Sequence, residues 1–186
     1  LRVAVQVEVG RHPRQPLDLE RQRVDPLAGV GRQRRRVVAR LLHVEDSAQV
    51  IFTRGTTESI NLVAAAWGRA NLRPGDEILL TLLEHHANLV PWQMIAQAVG
   101  ASVRFVEVDE TGAIDLEDYQ RRLGTGRVRI VATTAMSNVV GTEPPLDRMI
   151  AKAHDAGALV TVEAAQAVPH HGFDVGRQDP DFLAFS

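Results

Sequence analysis

The 186-residue sequence contains no cysteine, which excludes a disulfide framework and any thiolate metal site. It has a single lysine, Lys152, although arginine is plentiful. Aromatic residues make up only 4% of the chain, so Leu, Val, Ile and Ala have to fill its core. No apolar run reaches the ~18 residues that a bilayer span needs. The opening "LRVAVQVEVG" alternates and carries charge, which argues against a signal peptide. Two phosphate-binding signatures are missing as well. The G-x-x-x-x-G-K spacing does not occur, and "GVGRQR" (29–34) lacks the third glycine and the preceding strand of a dinucleotide fingerprint. The expectation is a cytoplasmic protein of about one ordinary domain, with no membrane segment.

Charge is uneven. Residues 1–40 carry ten arginines against Glu8, Asp18, Glu20 and Asp25, a local charge of +6, and the remainder carries −8. A basic arm for nucleic acid would look like this. The stretch has no interleaved aromatics for base stacking, so no nucleic-acid partner is expected. "RHPRQPLDLERQRVDPLAGVGRQRRR" shows no sustained helical or strand period, and residues 1–36 are read as an atypical Arg-rich segment, disordered or frameshifted. From Val37 the pattern is orderly, and residues 37–186 are read as one domain.

Within that domain, strands and helices alternate. "RVVARLLHV" closes an amphipathic helix. Strands are expected at 49–53, 77–82, 102–108, 127–134 and 158–163, with one more beginning at 181. Helices are expected at 57–70, 88–100, from about Asp115 to Gly124, and at 145–157. The first of these puts Ile60, Val63, Ala64 and Trp67 on one face, and Pro91 falls in the first turn of the second. This alternation implies an α/β domain around a mostly parallel sheet with flanking helices. Ligands of such sheets lie at the carboxyl ends of the strands. Four polar clusters follow strands: "TRGTTES", "LEHHAN", "AMSNVVGT" and "EAAQAVPHH".

Each cluster has a chemical reading. Gly55 permits a sharp turn, and Thr56 and Thr57 then present hydroxyls and amides at a helix N-terminus, a seat for phosphate. The same residues would also serve as a plain helix cap by Thr56. In "EHH", adjacent strand residues point to opposite faces, so His85 and His86 do not share a metal and no metal site is expected. A single histidine, His85, could lie flat over an aromatic ligand, or both could be half-exposed loop residues. His170 and His171 are read as structural. Ser137, Asn138 and Gln166 supply neutral hydrogen-bonding groups. Glu163 ends a strand, where a carboxylate could pair with a protonated ring nitrogen while Gln166 donates to a ring oxygen. A flat, phosphorylated, cationic heteroaromatic ligand would meet Thr57, His85, Glu163 and Gln166 together, and pyridoxal 5′-phosphate is one.

"RGTTESINLVAAAWG", "RPGDEILLTLLEHHANLVPWQ", "TAMSNVVGT", "HDAGALVTVEAAQAVPHH" and "DFLAFS" resemble the Suf-type cysteine desulfurases and selenocysteine lyases of the class V aminotransferase group. The resemblance runs from Val37 to Ser186. It implies an incomplete fold-type-I large domain that binds pyridoxal 5′-phosphate. Thr56 and Thr57 would hold the phosphate with Ser186, and His85 would be the catalytic residue stacked on the ring. Asn138 would lie near the ring oxygen and the substrate carboxylate, Glu163 would face the pyridine nitrogen, and Gln166 would face the ring oxygen. The implied reaction takes sulfur from L-cysteine or a related amino acid, leaves L-alanine, and passes sulfur to an acceptor protein for iron–sulfur cluster assembly. A homodimer is implied too.

Several features depart from that pattern. Glu163 stands where the family has Asp, which would extend the carboxylate by ~1.5 Å, a bond-length scale. The family's Schiff-base lysine follows the serine of "FLAFS", where this sequence ends, and Lys152 is expected on a helix surface. The persulfide-forming cysteine has no counterpart among these residues. The expectations are therefore a truncated chain, inactive or nearly so alone, with an open sheet edge that favours association. The alternatives are another class V enzyme, such as a selenocysteine lyase or an epimerase, or a non-catalytic module that binds a full-length homologue.

Overall fold

The structure, a computed structural model, describes residues 4–8 and 28–186. Seven strands form one sheet: β1 (Ala4–Glu8), β2 (Val50–Thr53), β3 (Glu77–Thr81), β4 (Ser102–Val106), β5 (Val128–Thr134), β6 (Leu159–Glu163) and β7 (Phe182–Phe185). Their order is β2-β1-β7-β6-β5-β3-β4. β1 runs antiparallel to both β2 and β7, and every other neighbouring pair is parallel. All strands except β1 therefore point the same way, and their carboxyl ends share one edge.

The helices are α1 (Ala28–Leu41), α2 (Thr56–Val63), α3 (Arg69–Asn71), α4 (Val90–Val99), α5 (Leu116–Leu123), α6 (Leu146–Asp155), α7 (Ala167–His171) and α8 (Val175–Gln178). A π-helical turn, Ala64–Gly68, joins α2 to α3. Asp115 caps α5 by accepting from the Glu117 and Asp118 amides. Gly100 closes α4 at φ 75°, a left-handed conformation that costs glycine little.

The period-2 pattern of the strands sorts their side chains onto two faces. Ile78, Leu80, Ile130, Ala132, Phe182 and Ala184 pack with Ile60, Trp67, Trp92 and Ile95 from α2 to α4. Leu79, Val131, Val160, Val162, Leu183 and Phe185 pack on the opposite face with Leu42, Tyr119 and Met149 from the α1, α5 and α6 layer. This is the three-layer α/β architecture expected from the alternation of elements.

The sequence-based reading of the N-terminal region needs correction. The helix read as ending in "RVVARLLHV" begins at Ala28, so Gly31–Arg36, read as aperiodic, is helical. Ala4–Glu8 is a strand inside the sheet, paired on both sides. Residues 1–3 and 9–27 lie outside the described residues, and the disorder or frameshift assigned to them goes with them. Two short helices, α7 and α8, were not anticipated. The 102–108 strand stops at Val106, and Val108 instead forms an isolated bridge with Ile114. Among the described residues no helix is long and apolar enough to cross a membrane.

Candidate functional site at the carboxyl edge of the sheet

Five strands lead into one cavity of about 790 Å³. β2 leads into Arg54, Gly55, Thr56, Thr57 and Glu58, and β3 into His85. β5 leads to Asn138, β6 to Glu163, Ala165 and Gln166, and β7 to Ser186. All seven residues singled out from the sequence, Thr56, Thr57, His85, Asn138, Glu163, Gln166 and Ser186, line this space. His86, His170 and His171 do not. His171 lies 3.3 Å from Glu143 at the rim of another cavity. Among the described residues no cluster of three metal-binding side chains occurs.

The β2–α2 turn is built to receive an anion. Gly55, not Thr56, occupies the N-cap position of α2, and no side chain caps the helix. The plain-cap reading of Thr56 therefore fails. Its hydroxyl is buried, with no hydrogen-bond partner. A buried hydroxyl without a partner costs on the order of 1–3 kcal/mol, so an unused donor here is worth an explanation. A side chain built on Gly55 would meet nothing within 4 Å, so the turn leaves open room beside the helix tip. Arg54 forms an ion pair with Glu58 at 2.9 Å, which holds the Glu58 carboxyl below its ordinary range through the Arg54 hydrogen bond. That pairing partly offsets a negative charge next to a seat for an anion.

His85 is exposed over the cavity, and its Nδ1 accepts from the Ala87 amide at 3.1 Å. That bond fixes the ring plane and leaves Nε2 as the free nitrogen. Opposite lies Glu163, 7% exposed. Its Oε1 accepts from the Ala165 amide at 2.8 Å, and its Oε2 lies 2.9 Å from Thr134 Oγ1, a hydroxyl that also reaches the Met136 carbonyl at 2.8 Å. Among the described residues it has no cationic partner. The added methylene relative to an aspartate has not removed the carboxylate from the cavity, because these two donors hold it there. Asn138, Thr57 and Ser186 stay exposed, and Gln166 is half-buried at the N-cap of α7.

Two residues beside the cavity had no role in the sequence reading: Glu84, noted only next to two histidines that do not share a metal, and Thr134. Glu84 accepts from Thr81 Oγ1 at 2.6 Å, Asn88 Nδ2 at 2.7 Å and the Thr134 amide at 3.0 Å. Burial of the carboxyl pushes its pKa up to about 7; the three donors oppose the shift and nearby Glu163 adds to it. The cavity thus offers an unpaired carboxylate, a flat imidazole, a helix tip with a free hydroxyl, and amides to either side. Together these can hold a flat cationic ring that carries an anionic tail.

This sheet, with its polar cavity at the carboxyl ends of the strands, defines a class of protein. The chain belongs to the class-V aminotransferase family, whose family model, "Aminotransferase class-V", matches residues 27–186. It is 48% identical over 149 residues to a cysteine desulfurase of Enterobacter sp. (strain 638), covering 80% of this chain and 36% of that protein. It is 43% identical over 152 residues to a probable cysteine desulfurase of Halalkalibacterium halodurans, covering 82% and 37%. Among solved structures, it matches an Escherichia coli cysteine desulfurase in S-sulfonic acid form with a TM-score of 0.81 at 44% identity, covering 91% of this chain and 43% of that one. A cysteine desulfurase from Thermococcus onnurineus NA1 in its apo form gives 0.80 at 33% identity, covering 88% and 41%. The chain thus spans about 36–37% of the length of the curated relatives it matches.

Proposed function

We propose that this chain forms the cofactor-cradling part of a cysteine desulfurase and that its cleft holds pyridoxal 5′-phosphate. The observation that carries the reading is the buried, partnerless hydroxyl of Thr56 at the tip of α2, in the same cavity as the uncompensated carboxylate of Glu163. One group waits for an anion and the other for a cation, and the cofactor brings both on one rigid ring. The residues present fit it.

In this reading Thr56, Thr57 and Ser186 bind the phosphate, aided by the free amides and dipole of α2. His85 stacks on the ring face, with its plane fixed by the Ala87 amide. Glu163 keeps a proton on the ring nitrogen, and Gln166 donates to the ring oxygen. Asn138 orients the carboxylate of the amino-acid substrate. When bound, the cofactor supplies an electron sink for chemistry at the substrate Cα. The proposed overall change removes sulfur from L-cysteine, leaves L-alanine and passes the sulfur to a thiol acceptor. Lys152 lies on α6 and is not among the residues lining the cavity, so these 186 residues hold the cofactor without a lysine link.

Surface chemistry supports a second copy as partner. Leu82, Val90 and Met94, in the segment that carries His85, are 51%, 41% and 64% exposed, and Val139 and Val140, next in sequence to Asn138, are 83% and 57% exposed. Exposed apolar side chains in the segments flanking two cavity residues favour burial against another surface.

The test is direct. Mixing the chain with pyridoxal 5′-phosphate is expected to change the cofactor's absorbance saturably. Borohydride treatment is expected to trap no adduct on Lys152. An unchanged spectrum, or a Lys152 adduct formed in proportion to binding, contradicts the reading.

A further inference from the structure

The His85 loop contains a buried network that the cleft chemistry above does not use. Trp92 Nε1 donates to Asn88 Oδ1 at 3.1 Å, and Asn88 Nδ2 donates to Glu84 Oε2 at 2.7 Å. Glu84 Oε1 in turn accepts from Thr81 Oγ1 and from the Thr134 amide. The hydroxyl of the same Thr134 lies 2.9 Å from Glu163 Oε2 and 2.8 Å from the Met136 carbonyl, so its one proton is shared between these two acceptors. Asn88 and Trp92 are fully buried. One residue, Thr134, therefore connects two carboxylates, holding Glu84 through its backbone and Glu163 through its side chain.

We propose that Glu84 is a positioning residue of this cleft: through Thr134 it couples its own protonation to the hold that Glu163 exerts on a cationic ring. The proposal rests on the cofactor reading given above. Its physical basis is the donor inventory. The Thr134 amide and Asn88 Nδ2 can only donate, so they favour an ionised Glu84. Of its hydrogen-bonding partners, only the Thr81 hydroxyl has a lone pair to accept the O–H of a protonated Glu84. A proton taken up on Oε1 therefore turns toward Thr81. That makes Oε1 a poorer acceptor and weakens its bond to the Thr134 amide. Thr134 is then held less firmly, and so is the hydroxyl that fixes Glu163. In the ionised state Glu84 adds a second negative charge behind Glu163 and strengthens the attraction for a cationic ring. The other titratable groups around Glu84 are Glu163 at the end of β6 and, on its own loop, His85 and His86. β3, β5 and α4 with its lead-in contribute neutral Thr81, Thr134, Asn88 and Trp92.

The two tryptophans provide the readout. Trp92 Nε1 belongs to the network, while Trp67 Nε1 is buried with no partner and serves as an internal reference. In cofactor-free protein titrated from pH 5.5 to 8.5, the Trp92 indole NMR resonance is expected to move with a one-proton midpoint near 7, where burial places the Glu84 carboxyl. The Trp67 resonance is expected to stay still. The transition should vanish in Glu84→Gln, which separates it from His85 and His86. It should persist in Thr134→Val, which keeps the amide and loses only the hydroxyl. The rise in pyridoxal 5′-phosphate affinity from pH 6 to pH 8 should then be several-fold larger in the wild type than in Thr134→Val. A motionless Trp92, a transition that survives Glu84→Gln, or equal pH 6 to pH 8 affinity ratios in wild type and Thr134→Val each overturns the proposal. If Glu84→Gln does not fold, the wild-type and Thr134→Val measurements still decide. Absence of cofactor binding at both pH values refutes the cofactor reading and the ring-coupling claim with it. The Trp92 titration reports independently of cofactor binding whether Glu84 takes up the proton.

Discussion

The two ends of the parallel strands handle buried acids in opposite ways. Around the start of β3, Asp76 faces the Arg129 guanidinium at 2.8 Å, and Glu77 faces Arg127 at 2.9 Å and Arg104 at 3.3 Å. At the carboxyl ends, Glu84 and Glu163 have only neutral donors: hydroxyls, an amide side chain and backbone N–H groups. A buried carboxylate with a guanidinium partner is neutralised and adds little beyond structure. A buried carboxylate satisfied only by neutral donors keeps its field for a cation from outside. The same residue type is thus neutralised at one edge and left open to a cation at the other, and the difference lies in the partners.

Four experiments can break or sharpen this contrast. The largest effect is expected from removing the guanidinium partners of Glu77. Arg104 and Arg127 are 51% and 59% exposed, so solvent screening moderates the loss. The double variant Arg104→Ala/Arg127→Ala should still lose roughly 2–3 kcal/mol in urea unfolding, because a buried charge is left unpaired. Its cofactor affinity should be unchanged. Second comes pH. A carboxyl whose pKa is raised on folding stabilises the native state below its unfolded value, and that contribution is lost as pH rises through the folded value. For Glu84 the window runs from the ordinary carboxylate range up to about 7. Urea unfolding at pH 5 and pH 8 should therefore differ by on the order of 2–3 kcal/mol, more stable at pH 5. Glu58, Asp109, Asp118 and Asp174 are shifted downward, and they lose their contributions only at lower pH, outside this window.

Third, Glu163→Gln should weaken pyridoxal 5′-phosphate binding by about tenfold, or about 1.4 kcal/mol. Thr134 and Ala165 can still be satisfied by an amide, so the urea midpoint should move little. The smallest effect is expected at Thr56. Thr56→Val removes a buried hydroxyl that has no protein partner, so stability should rise by roughly 1 kcal/mol. Affinity for the phosphorylated cofactor should fall a few-fold in a direct titration.

Much of the architecture was legible because local pattern and tertiary role coincide. Ile78 and Leu80 alternate with Leu79, and the two sets occupy opposite faces of the sheet. Asp115, Gly100 and Pro91 mark helix ends through chemistry that acts within a turn. The seven cavity residues were legible for the same reason, since each follows a strand that announces itself. What escaped depends on distant partners. β1 finds its place between β2 and β7, and no local signal specifies that pairing. The first turns of α1 escaped because Arg32 to Val37 are all exposed and show no apolar stripe. Glu84 was given no role of its own because its partner Thr134 lies fifty residues on.

The central claim is that the carboxyl edge of the sheet is a seat for a phosphorylated, cationic ring. Parallel calorimetric titrations with pyridoxal 5′-phosphate, with pyridoxal lacking the phosphate, and with inorganic phosphate as competitor test it most directly. The expected result is saturable binding of the phosphorylated form, binding of pyridoxal at least about tenfold weaker, and competition by phosphate that disappears in the Thr56→Val/Thr57→Val variant. Equal affinity for the two pyridoxal forms, or binding untouched by that double substitution, would contradict it.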